Sequence, residues 1–314
     1  MSNLIENAEL MKGQTFGVEV EMSGIAQGKC ARLMQSHFNN KWGLNFTAVH
    51  DGAHLNEWYA TDNQGRRWKA YSDSSIDGYE SAEMVTPICT YDDIETIQEL
   101  VRLMRENGAK SNASYGCGVH IHVGIGDHTP KTVRTLVNLV NSHQRILKKA
   151  IGFTESRSTY CNMLNQELVN KLNARKPRDW DTLKTLHYST LGGGQHHYSG
   201  SRYYFLNLHA IWDKGTVEFR CFEFHKNMHA GELKAYIQLC LAMSNYSKMV
   251  AYSSPREVDM TNEKWAMKNW LNNMGLIGDE FKTARKMLTK RLSGDLGSRI
   301  PRTAQSGLDD LNLE

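Results

Sequence analysis

Several things are scarce in this 314-residue chain, and each scarcity removes a class of protein. Only five prolines, with 40 % hydrophobic and 23 % charged residues, exclude a disordered, proline-rich or fibrous chain. No stretch approaches the roughly 18 consecutive apolar residues that cross a bilayer, so no membrane span is expected. The opening "MSNLIENAELMKGQ" has no basic stretch leading into an apolar one, and with no secretory signal the expected compartment is the cytoplasm. Six cysteines, at positions 30, 89, 117, 161, 221 and 240, form no Cys-x-x-Cys pair. That excludes a zinc ribbon, offers no disulfide framework, and predicts free thiols in packed positions. A formal net charge of +3 is too small to announce a nucleic-acid-binding protein.

What is present is an interleaving of strand and helix patterns with no repeat or low-complexity linker, which predicts a single domain over 1–314. Its core is expected over about 12–252, with a helical elaboration over 253–292 and a surface or disordered tail over 293–314. Strands are expected in "FGVEVEM", on both sides of a turn at 62–65, through "YESAEMVTPI", and in "GVHIHVGIG". The clearest amphipathic helix carries Ile94, Ile97, Leu100, Val101 and Met104, with Thr90 or Asp92 as cap and Gly108 as stop. A second helix starts at the cap Thr129 with Pro130 in its first turn and stops at Gly152. Residues 156–174 read as helix and 175–200 as a long functional loop. "RYYFLNLHAIW" and "GTVEFRCFEF" read as strands around a turn at 213–215, and 229–292 as helical. Because the strongest strands carry acids or histidines on one face, the fold class is α+β. The sheet is expected to be antiparallel with a polar concave face, not a parallel one buried on both sides.

Side chains alternate along a strand, so Glu19 and Glu21 share one face and Val18 and Val20 the other. The same rule groups His120 with His122 and Glu218 with Arg220, and "YESAEM" adds Glu83 with Glu80 as an alternative. Half-buried carboxylates at this density stay ionised only beside cations, and acids outnumbering imidazoles point to a hard ion, magnesium or manganese.

The blocks "FGVEVEM", "WKAYSDSSIDGYESAEMVTPI", "GCGVHIHVG", "SRYYFLNLHA" and "GTVEFR", in this order, resemble the amidoligase family of the carboxylate–amine ligase superfamily, which includes glutamine synthetase and the glutamate–cysteine ligases. The resemblance implies a glutamine-synthetase-like curved antiparallel sheet with helices on its outer face and a helical C-terminal region. It also implies ATP, two or more magnesium or manganese ions, and an amide or isopeptide bond formed from a carboxylate and an amine through an acylphosphate. On the matching positions it makes Glu19, Glu21, Glu83, His120 and Glu218 metal ligands. It places His122 near the nucleotide phosphates, Arg220 on phosphate or the substrate carboxylate, and Arg202 and Asn207 on the substrate and phosphate side. Ser74 stands where the family commonly has glycine, beside Asp73. The 175–200 segment, with His196, His197 and Tyr198, would act as a lid. Two other readings compete: a metal-dependent hydrolase of a phosphoester or peptide, and nucleic-acid binding through the basic segment "FKTARKMLTKRLSGDLGSRIPR". Against the latter, Phe281, Ala284, Leu288 and Leu292 form an apolar stripe that would make the charges a solvated face.

Overall fold

A computed structural model describes residues 2–52, 57–76, 80–194, 196 and 199–301. Helix α1 (Ser2–Lys12) leads into strand β1 (Phe16–Ser23), and helix α2 (Gln27–Trp42) follows. Next come β2 (Val49–Asp51), β3 (Glu57–Thr61), β4 (Arg67–Tyr71), β5 (Ser81–Val85), α3 (Ile94–Glu106) and β6 (Val119–Gly124). Then follow α4 (Pro130–Ile151), α5 (Gln166–Arg175), α6 (Trp180–Leu191), β7 (Leu206–Asn207), α7 (Ala210–Asp213) and β8 (Thr216–Phe222). Helices α8 (Ala230–Met249), α9 (Glu263–Asn273) and α10 (Lys282–Thr289) complete the described chain.

The strands form one eight-stranded sheet in the order β2-β3-β4-β5-β1-β6-β8-β7, every neighbouring pair antiparallel. The α+β expectation therefore stands. Alternation decides which face meets the helices: Val18, Val20 and Met22 of β1 are buried with Met84, Val119, Ile121 and Phe219 of its neighbours. Against that apolar side pack α2 and α8, with α1, α3, α4 and α10 packed in turn on α8. Ile94, Ile97, Leu100, Val101 and Met104 of α3 are all buried, and its entry turn (Tyr91–Asp93) closes reciprocally at Thr90, whose backbone N–H donates to Asp93 at 2.8 Å. Helix α4 starts at Thr129 with Pro130 and ends at Gly152, whose φ of 73° is one that L side chains rarely adopt. All six cysteines are free and buried. Among the described residues no helix is long and apolar enough to cross a membrane.

Three segments depart from the sequence reading. "RYYFLNLHAIW" is not a strand but a 3-10 turn (Gly200–Arg202), a two-residue β7 and the short α7. Asn207 ends the pairing because its side chain is used locally: its Oδ1 accepts from the His209 backbone, which turns the chain into α7. Residues 156–174 are helical only from Gln166, after a 3-10 turn (Ser156–Thr159). Twelve residues of the expected 175–200 loop form α6, nucleated by Asp179, which accepts from the Thr182 backbone at 2.7 Å. Gly192 follows that helix, and His197 and Tyr198 lie outside the described residues. The C-terminal helices are separated by irregular chain at 250–262 and 274–281, and 293–301 runs along α9, with Ser298 O accepting from Asn262 at 2.7 Å and Leu296 O from Lys268 at 2.9 Å. Residues 302–314 of the expected tail lie outside the described residues.

Candidate active site

The polar side of the sheet holds a cleft of about 420 Å³. Strand register builds it: Glu19 of β1 lies opposite His120 of β6, Glu21 opposite Glu83 of β5, and His122 opposite Glu218 of β8, which in turn faces Asn207 of β7. Antiparallel partners share a face, so four sequence-distant pairs arrive on one side together. Of the residues singled out in the sequence, Glu19, Glu21, Glu83, His120, Arg202, Asn207, Glu218 and Arg220 line the cleft; His122 is buried beside it at 5 % exposure. Glu80 precedes β5 and is exposed.

Among the described residues three groups present ligand atoms that lie within 4.8 Å of one another: Glu19 with His122 and Glu218, Glu19 with Glu83 and His120, and Glu21 with Asp73 and Glu83. Glu19 and Glu83 each serve two groups, so the three are contiguous. Asn207 Nδ2 donates to Glu218 Oε2 at 2.6 Å and Arg220 Nη1 to Glu218 Oε1 at 2.5 Å, which fixes that carboxylate. His122 Nδ1 meets Thr216 Oγ1 at 2.9 Å, while its Nε2 lies 3.2 Å from Glu19 Oε1 without hydrogen-bond geometry.

Two cations absent from the sequence-derived set complete the site. Lys214, at the end of α7, reaches Glu19 Oε1 at 2.9 Å. Arg157, 3 % exposed in the 3-10 turn before α5, donates from Nη2 to His120 Nε2 and to the Arg220 carbonyl, both at 2.9 Å, and lies 4.0 Å from Glu21. A guanidinium carries only donors, so His120 Nε2 must accept, which leaves the proton on Nδ1 to be donated to Glu19 Oε2 at 3.1 Å. Arg157 fits because position 118 is glycine: a Cβ there would come within 2.2 Å of the guanidinium. Arg157 lies 39 residues beyond Gly118 and carries no periodicity that could mark it in the sequence.

The carboxylates divide electrostatically. Burial pushes Glu19 up, but the nearby charge of His122, the hydrogen bond from His120, and Lys214 hold it well below the carboxylate range. Burial likewise opposes ionisation of Glu218, and Arg220 leads the groups that bring it down to about 2. Glu83 goes the other way: burial, then Glu19, Glu21 and Asp73, push it well above the usual range. His120 is lowered by burial and then by Arg220, in keeping with a neutral ring. The protein's own cations thus offset some of the acids but leave Glu83 among like charges, and this donor set fits a divalent cation.

A curtain of carboxylates and imidazoles meeting arginines over one face of an antiparallel sheet defines an α+β protein equipped to hold cations and anions side by side. Residues 12–244 match the family described as "Putative amidoligase enzyme", and the chain belongs to that family, one of amide-bond ligases. Among solved structures the chain is similar to a bifunctional glutathione synthetase from Pasteurella multocida, at 13 % identity and a TM-score of 0.39. That match covers 92 % of this chain, which spans about half (48 %) of the other. No curated protein matches the chain.

Proposed function

We propose that the cleft joins a carboxylate to an amine at the expense of ATP, with magnesium or manganese, on a sheet of the glutamine-synthetase type. The observation that carries this reading is the meeting of the three carboxylate groups with Arg157, Arg202 and Arg220 in one cleft. Glu19, Glu21, Glu83, Glu218 and a histidine would hold the ions, which supply positive charge to the phosphate oxygens. Of the two histidines, His120 has both nitrogens engaged, whereas His122 turns a nitrogen without a hydrogen bond toward Glu19 and Glu218, so His122 joins the proposed ligands.

The substrate carboxylate oxygen attacks the γ-phosphorus and ADP departs with the bridging oxygen, giving an acylphosphate. The amine then attacks the acyl carbon, inorganic phosphate leaves with the carbon–oxygen electron pair, and the amine gives up a proton. The first step brings two anions together, and Arg220 and Arg202 offset that repulsion with forks suited to phosphate and carboxylate. Arg220 is 6 % exposed and paired with Glu218, so it meets a ligand already oriented. Tyr203 lies under both guanidiniums, 5.4 Å from Arg202 and 5.7 Å from Arg220.

The test is a panel of acids and amines scored by phosphate release from ATP, with mass spectrometry seeking a product lighter by one water than its precursors. Release that requires both an acid–amine pair and magnesium is expected. Failure of every pair to raise it, or turnover of a phosphoester or peptide without ATP, overturns the reading in favour of a hydrolase.

A further inference from the structure

The family match ends at residue 244, and beyond it lies a feature that the cleft does not use. Residues 264–299 contain eight lysines and arginines against three acids, a net charge of +5 when the whole chain carries +3, so the rest of the molecule is net negative. The apolar stripe Phe281, Ala284, Leu288 and Leu292 is buried, and α10 packs on α8, α4 and α9 on the helical side of the sheet. Between α9, α10 and the segment leading to Leu296 this leaves a groove of about 890 Å³.

We propose that this groove docks an acidic peptide segment bearing leucine-like side chains, presented by a partner protein. Its walls include Lys264, Lys282 and Lys286, whose ammonium groups have no hydrogen-bond or ion-pair partner among the described residues, and only Asp295 opposes them. Ile277 and Leu296, the latter 46 % exposed, add an apolar contribution that a purely ionic ligand leaves unused. The chemistry favours carboxylates over nucleic acid. Arg285, the arginine among the described residues of the lining, spends its guanidinium on the carbonyls of Leu276 and Gly278 at 2.9 and 2.8 Å, so its fork is not free for phosphate. Among the described residues the lining has no aromatic ring on which a base could stack. Charge complementarity therefore selects the occupant, and the proposal stands whether or not the cleft is a ligase, because its readout is binding.

The experiment titrates the full chain into a short fluorescein-labelled peptide of glutamate and leucine, followed by anisotropy. Comparators are the same peptide with lysine for glutamate and a single-stranded oligonucleotide of equal charge. Saturable binding of the acidic peptide is expected, with none of the lysine version. The double reversal Lys282→Glu and Lys286→Glu should weaken it by at least about tenfold, and Leu296→Asp independently by a smaller factor, with circular dichroism unchanged. Absence of saturable binding, insensitivity to the double reversal, or tighter binding of the oligonucleotide overturns the proposal.

Discussion

At the scale of single residues, neighbours decide which acid does what. Glu83 and Glu80 are three positions apart, yet only Glu83 enters the cleft, so Glu83→Gln should lower phosphate release by about 100-fold while Glu80→Gln leaves it unchanged, read as kcat on folded protein. Arg157, like Lys214, is a residue that sequence reasoning did not reach. Replacing it with methionine removes the donor to His120 and leaves Glu21 without its nearby guanidinium; the expected cost is about 3 kcal/mol in urea unfolding. Gly118→Ala should reproduce part of that loss without touching a charge, because the added carbon meets the same guanidinium. A charge-only explanation predicts no effect of Gly118→Ala, and the pair of variants separates the two.

Elements were legible where one rule governed them. Period-two alternation placed Glu19 and Glu21 on the polar face of β1, and caps with helical spacing placed α4 at its observed start and Thr90 at the head of the 3-10 turn that leads into α3. Thr129→Ala should cost about 1 kcal/mol, seen as a lower urea midpoint at unchanged slope, since the Thr132 N–H loses its acceptor. Reading failed where local side-chain bonds overrode composition. Glycine, histidine and aromatic residues made 175–200 resemble a loop, but Asp179 caps a helix whose Leu183 and His187 are buried. In β7, Asn207 serves Glu218 and the His209 backbone instead of extending a strand, a use visible only once β8 lies beside it.

Across the whole molecule, buried histidines away from the cleft set a pH response. Burial lowers His128 and His143 to about 4 and His187 to about 3. An unfolded histidine takes up its proton near pH 6.5, well before these folded ones. The unfolded chain therefore binds more protons below that value, and the stability that is complete above about pH 6.5 is lost as pH falls toward 4. The melting temperature should drop over that window, and His128→Gln should flatten part of the drop. His143 stacks on Trp270 with ring centroids 4.1 Å apart, tying α4 to α9, so acid should loosen the C-terminal helices as well, detectable as faster amide exchange there.

The sequence by itself determined the pairs: which acids, histidines and arginines share a strand face, and where helices such as α3 and α4 run, because alternation and helical periodicity are local rules. Tertiary structure alone decided which pairs meet. Register set Glu19 against His120 and Glu21 against Glu83, and the α7 turn and the 3-10 turn before α5 delivered Lys214 and Arg157 from far along the chain. Electrostatic coupling falls off with distance in space, not in sequence. Only the packed sheet could therefore make Glu19 and Glu83, two carboxylates on neighbouring strands, depart in opposite directions from the same ordinary value.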